Sequence, residues 1–269
     1  MGKDRSGAGA EGSVRAVERD PRRRNRRSGE ARDQTKGQSG VREPTRTGTA
    51  LKPPPDRLYG RARGHKLRPR QERLLALTLP RLALSDPLPA GPLWLEVGFG
   101  GGEHALAQIR AHPEATLIAC EVFENGICSL LSALLPERDE ATAPLPPNLH
   151  IWIDDARILL RRLPDACLDR LFLLFPDPWP KARHAKRRFV HPATLPLLAR
   201  VLKPGAEWRV ASDDPTYQAW VHDVMAAQTL FTAPAPATTR PDGWPPTRYE
   251  AKALKAGRQP LYWRFQRKP

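Results

Sequence analysis

Cysteine is scarce in this chain, and acidic residues are outnumbered by basic ones. Three cysteines occur in 269 residues, Cys120, Cys128 and Cys167. An odd number with no C-x-x-C pair excludes a disulfide framework and a zinc motif, and it fits a reducing compartment. The histidines show no metal-ligand spacing, so no metal is expected. No apolar run approaches the ~20 residues that a membrane span needs. The first thirty residues are charged throughout, unlike a secretory leader. No internal repeat is visible. A cytoplasmic protein without a membrane segment is the expectation, and no feature separates a monomer from a homodimer.

Positive charge is abundant, and it is unevenly placed. The formal net charge is +15. Residues 1–70 carry 20 Lys and Arg against 8 Asp and Glu, while the other 199 residues carry 24 against 21. Such asymmetry points to an anionic partner, nucleic acid or a lipid surface, although a solvated tail with no partner is the plainer alternative. Residues 1–57 are rich in Arg, Gly, Ser, Thr and Pro and cannot bury enough surface to offset ordering entropy. They read as a disordered basic arm ending in the stiff stretch "LKPPPDR", with a folded domain over 58–269.

Within the domain the pattern alternates. The apolar runs at 93–97, 116–122, 149–153, 169–175 and 206–212 read as buried strands, and 260–266 alternates like a final strand. Helical spacing occupies 103–112, 125–135, 156–163, 192–202 and 214–228, with a further helix expected over 69–79 before Pro80. Asp214 and Pro215 form a cap and first-turn pair. Strand–helix alternation predicts an α/β domain, a largely parallel sheet with helices on both faces. Ligands of such sheets lie at the carboxyl ends of the strands.

At those ends stand the chemically suggestive residues. "EVGFGGG" puts Gly98, Gly100 and Gly102 between a strand and a helix, where backbone can approach a ligand closely. The sixth place of a dinucleotide fingerprint is Glu103, whose charge opposes a pyrophosphate at that helix start. The pattern E-x-G-x-G-x-G better suits a cationic ligand, with Glu96 facing its amino-acid end. Glu121 follows at the distance where a ribose-binding acid is expected. Asp155 ends the third strand, where it can accept from an exocyclic amine such as adenine N6. Helix capping is the plainer role for Glu121 and Asp155. Taken in order, the three acids suit one nucleoside with a cationic tail, S-adenosylmethionine.

The stretch "FPDPWPKARHAKRR" (175–188) places Asp177 between prolines that restrict their neighbours, then Trp179, then five Lys or Arg in eight residues. A solvated face is the bland reading of such a run. Beside an acid in a stiff turn it reads as a phosphate-contact lip, with Arg61, Arg63, Lys66 and Arg68 as a second strip. Trp179 is equally a wall for a base or a core aromatic.

"LEVGFGGG", "EV", "DDA", "FPDPWPKARHAKRR", "ASDDPTY" and "TRYE" together resemble the bacterial single-chain tRNA (guanine-N7-)-methyltransferase family, over about residues 58–267. The resemblance implies a class I, Rossmann-like methyltransferase fold with a seven-stranded, mostly parallel sheet. It also implies methylation of a variable-loop guanine in tRNA, with S-adenosylmethionine as cofactor. It matches Glu96, Glu121, Asp155 and Asp177 to cofactor positions and Asp177 also to the catalytic one. It matches Lys181, Asp213 and the segment Thr247, Arg248, Tyr249 and Glu250 to substrate positions. Arg183, His184, Ala185, Lys186, Arg187 and Arg188 match a tRNA-contact segment. The long arm and the loop 136–147 depart from the family without touching a motif. Guanine N7 has a lone pair and no proton to lose, so Asp177 is expected to orient the base through N1–H and N2–H₂ rather than act as a general base. A non-catalytic tRNA-binding protein and an NAD-linked oxidoreductase are the alternatives. Against the second stand Glu103 and the lack of a Tyr–Lys or His–acid pair.

Overall fold

The computed structural model describes residues 62–269. The expected basic arm at 1–57 and Arg61 lie outside the described residues. Six strands form one sheet in the order β3-β2-β1-β4-β5-β6. They are β1 Leu93–Val97, β2 Thr116–Cys120, β3 Leu149–Trp152, β4 Leu168–Leu174, β5 Leu202–Ser212 and β6 Leu261–Gln266. The first five are parallel, and β6 runs antiparallel to β5. The helices are α1 Pro69–Arg73, α2 Glu103–Ala111, α3 Glu124–Leu134, α4 Ala156–Arg162, α5 Leu195–Val201, α6 Pro215–Ala226 and α7 Arg248–Lys255.

Side chains of a strand alternate between faces, so an apolar run in a central strand feeds two cores. Leu93, Leu95, Ile118, Leu171, Leu173, Trp208 and Val210 join one cluster, which also holds residues of α4, α5 and α6. Trp94, Leu117, Ala119 and Phe172 join the other, with residues of α2 and α3. On this second face the β4–β6 side carries charge. Arg170, Arg209 and Arg264 converge on Glu207 at 3.1, 2.9 and 2.8 Å. The Arg170 guanidinium lies 4.4 Å over the Trp94 ring, so its stem covers aromatic surface.

Two expectations are corrected. The sheet has six strands among the described residues, not seven. Residues 231–237 run beside β6 but meet the sheet only at two single bridges, Phe231 with Arg267 and Ala237 with Tyr262. Pro234 and Pro236 between them have no N–H to donate to a ladder. The helix expected over 69–79 is regular only to Arg73. A wider turn spans Leu74–Thr78, where the Leu79 N–H reaches back to Leu74 O, and a tight turn follows over Leu79–Leu82. Pro80 breaks the ordinary hydrogen-bond ladder there. The cap expected at Asp214 is present: its side chain accepts from Tyr217 N at 2.9 Å. The loop 136–147 is anchored, with buried Glu140 between Arg70 at 3.4 Å and Arg73 at 3.3 Å.

Candidate active site

A cleft of about 490 Å³ opens at the carboxyl ends of β1–β4. The sheet order puts β1 beside β4 there, the crossover point where such folds hold ligands. Gly98 and Gly100 floor it, Val97, Val122, Phe123 and Leu173 give apolar wall, and Glu121, Asp155 and Asp177 bring carboxylates to it. The glycine loop is held from two sides. Gly100 sits at φ +60, and a Cβ on it would meet Tyr249 of α7 at 2.8 Å. On the other side, a Cβ on Gly126 of α3 would meet Gly100 O at 2.3 Å. Only a bare Cα at Gly126 lets the helix approach the loop this closely.

Glu121 leaves β2 and turns back onto the backbone. It accepts from Gly100 N at 2.7 Å, Val122 N at 2.8 Å and Phe123 N at 3.0 Å. Burial raises its pKa above the ordinary glutamate value, these N–H donors oppose the rise, and the charge of Asp177 adds to it. Beside it, burial and then Glu121, Asp155 and Glu96 push the Cys120 thiol well up, so Cys120 is no nucleophile.

Asp155 caps α4, accepting from Arg157 N at 2.9 Å. Its two oxygens also face the Arg157 Nε at 3.0 and 3.1 Å. Both the cap and the ion pair hold this carboxylate, which is less open to a ligand amine than the sequence pattern suggested. Asp154, which the sequence pattern did not single out, lines the cleft next to it. Glu96 does not face the cleft as expected. It is 3% exposed and points to the α2 side, where its Oε2 lies 3.0 Å from His104 Nδ1. Strand alternation explains this: Val97 and Glu96 must project to opposite faces.

Asp177 is exposed on a turn with two aromatic residues in the left-handed region, Phe175 at φ +52 and Trp179 at φ +46. Each precedes a proline, which disfavours the right-handed helical region. Such outliers cost on the order of 1–3 kcal/mol each and persist only where surroundings hold them. After the turn, Ala182–Arg187 form a short tight helix. Lys181, Arg183 and Lys186 are exposed on this lip. His184 sets its edge against Trp179 at 5.8 Å between ring centroids, and Arg187 stacks on the same tryptophan at 4.7 Å. Burial, then Arg187, Arg183, Lys181 and Lys186, lower the His184 pKa, so it is neutral at neutral pH.

A family model described as "Putative methyltransferase" matches residues 90–262. A tRNA (guanine-N(7)-)-methyltransferase of Granulibacter bethesdensis is 72% identical over 222 residues, covering 81% of this chain and 98% of that protein. The protein of the same name from Rhodospirillum rubrum is 48% identical over 232 residues, covering 79% and 88%. This chain belongs to the tRNA (guanine-N7-)-methyltransferase family.

The remaining positions that the family pattern marks fall into two groups in this methyltransferase. Tyr249 is 40% exposed and lines the cleft mouth, with the guanidinium of Arg248 over its ring at 5.1 Å. Arg248 also reaches Glu103 at 3.5 Å, which softens the negative charge at the start of α2. The others are engaged inside the protein. Thr247 and Glu250 form a reciprocal cap on α7, with Glu250 N donating to Thr247 Oγ1 at 3.1 Å. Buried Glu250 also accepts from the Tyr262 hydroxyl at 2.6 Å. Asp213 pairs with Arg258 at 2.5 Å. Helix α7 was not anticipated, although T-x-x-E is itself a capping signature. Arg188 departs most from expectation. It is 6% exposed and lines the cleft, with its guanidinium turned onto backbone carbonyls and the Trp220 ring.

Proposed function

We propose that this methyltransferase transfers a methyl group from S-adenosylmethionine to N7 of a variable-loop guanine in tRNA, using the cleft at the ends of β1–β4. The observation that carries this reading is the meeting of Glu121 and Asp177 in one cleft whose lip bears Lys181, Arg183 and Lys186. The cleft fits the cofactor. It is large enough for a nucleoside, and its floor is backbone without side chains. Its carboxylates suit hydroxyl donors and a sulfonium charge. When bound, S-adenosylmethionine supplies a methyl group on a cationic sulfur.

Glu121 would accept a ribose hydroxyl at the acceptor site that its three backbone N–H donors leave open. Asp177 accepts guanine N1–H and N2–H₂, which turns N7 toward the methyl group. Guanine N7 carries a free lone pair and no proton, and the sulfonium sulfur would keep the electrons of the broken methyl–sulfur bond, so no residue of this chain would need to act as a base. Rate enhancement comes from fixing the two partners in line. The purine becomes cationic, and Asp177 and Glu121 stabilise that charge. Lys181, Arg183 and Lys186 bind phosphates and set register without reading sequence. No group of three or more potential metal ligands occurs among the described residues, and none of these roles needs one. No helix among them is long and apolar enough to cross a membrane.

The test is transfer of labelled methyl to bulk tRNA, then chemical cleavage at alkylated guanines. Label confined to one variable-loop guanine is expected. Unlabelled tRNA, or label that does not direct cleavage, refutes the reading.

A further inference from the structure

The Pro-rich turn has an unusual accounting problem. Pro176, Pro178 and Pro180 donate no N–H, and the strand ladder of β4 ends just before them, at Phe175 N to Ala211 O. The carbonyls of Pro178 and Trp179 therefore lie beyond sheet pairing, next to the strained φ of Trp179. Backbone carbonyls in part-buried positions require partners. One side chain supplies both. Arg188 Nε donates to Pro178 O at 3.1 Å, and its Nη2 donates to Trp179 O at 3.0 Å. The guanidinium lies 4.7 Å over the Trp220 ring. Trp220 is itself fixed, since its Nε1 donates to Val190 O at 2.6 Å. Tyr217, one turn earlier on α6, accepts from Val190 N at 3.4 Å. The cap at Asp214 anchors the start of that helix. A continuous set of contacts thus runs from α6 through Trp220 and Arg188 to the backbone on either side of Trp179.

We propose that Arg188 is a positioning residue: its planar fork bridges two carbonyls of the turn and so aims the Asp177 carboxylate into the cleft, while the exposed cations of the lip take the tRNA phosphates. The geometry requires arginine. A lysine ammonium could reach one carbonyl but could not present two fixed parallel donors or stack flat on tryptophan. Burial lowers the Arg188 pKa, as expected of a cation withdrawn from solvent. This inference rests on the role proposed for Asp177, and its test separates the two.

The test has two arms. In the first, the wild-type enzyme is treated with phenylglyoxal, with and without tRNA, and modified arginines are mapped by mass spectrometry. Arg188 should stay unmodified in both states, while Arg183 is modified and tRNA protects it. Modification of Arg188 in the free enzyme, relieved by tRNA, overturns the proposal. This arm needs no activity, so it reads the clamp even if the proposed reaction is wrong. In the second arm, Arg188→Lys is compared with Arg183→Ala. Arg188→Lys should lower kcat about 100-fold through misplacement of Asp177. It should leave tRNA affinity and its salt slope unchanged, and added guanidinium should restore part of kcat to an Arg188→Ala enzyme. Arg183→Ala should weaken tRNA binding and lose about one unit of salt slope. An Arg188→Lys enzyme with normal kcat, or with the reduced slope of a lost phosphate contact, refutes the positioning role. Should that variant fail to fold, the mapping of the wild-type enzyme still decides.

Discussion

Gly126→Ala probes how the cofactor loop is held. The new Cβ would lie 2.3 Å from Gly100 O, a backbone atom that cannot rotate aside, whereas ordinary contact begins near 3.4 Å. The loop must therefore yield by about 1 Å, an overpacking that costs about 1–3 kcal/mol. Alanine in place of glycine in a helix returns about 1 kcal/mol, so the net loss of stability is about 0–2 kcal/mol. Binding responds more sharply. Gly100 carries the N–H that meets Glu121 at 2.7 Å, the shortest of the three contacts orienting that carboxylate. A hydrogen bond to a charged group is worth about 1.5–3 kcal/mol, which corresponds to roughly ten- to a hundredfold in affinity. Calorimetric titration of S-adenosylmethionine, set beside a thermal melt, reads both quantities. A large loss of affinity with a small change in melting temperature is expected. An affinity equal to that of the wild type would mean that the contact between α3 and the loop does not shape the site.

Asp177→Ala should abolish methyl transfer while leaving tRNA affinity nearly unchanged, since phosphates carry most of the binding; gel-shift and transfer assays on the same preparation check this, and a parallel collapse of binding would falsify the orienting role. Thr247→Ala removes the cap on α7 and should cost about 1 kcal/mol, seen as a melting point lower by about 2–4 °C. An unchanged melting point with weakened tRNA binding would instead make Thr247 a substrate contact. Cofactor affinity should fall as pH drops through the raised pKa of Glu121, at a pH above the ordinary glutamate value, because protonation removes acceptor capacity from a carboxylate that already accepts three N–H bonds. The sign for stability is opposite. With its folded pKa above the unfolded one, Glu121 contributes stability to the ligand-free protein at low pH that is lost as pH rises through the folded value. Glu121→Gln should flatten both profiles, and a profile identical to the wild type assigns the titration to another group.

Strands, the glycine turn and the caps were legible because they depend on near neighbours. Runs such as "LWLEV" and "TLIAC" are apolar at most of the positions that two cores require, with buried Glu96 and Thr116 as the exceptions. Asp214-Pro215 states its own helix start. The motif "FPDPWPKARHAKRR" is long enough to mark its family unaided, and prolines at alternate positions dictate a stiff turn in any surroundings. Even the missing seventh strand had a local signal in Pro234 and Pro236. The cap formed by Thr247 and Glu250 was written in T-x-x-E as well, but the same letters also fitted a substrate segment.

Which charges remain available was decided only by the tertiary structure. Glu96 hydrogen-bonds His104, and Asp213 pairs with Arg258, 45 residues away. Arg188 looks like its neighbours Arg187 and Lys186 in the sequence, yet it turns inward onto the turn carbonyls and Trp220. Residue type and spacing determine what a side chain can do. What it does depends on the partners that chain folding brings within hydrogen-bond distance, because a buried charge must be matched before it can be used.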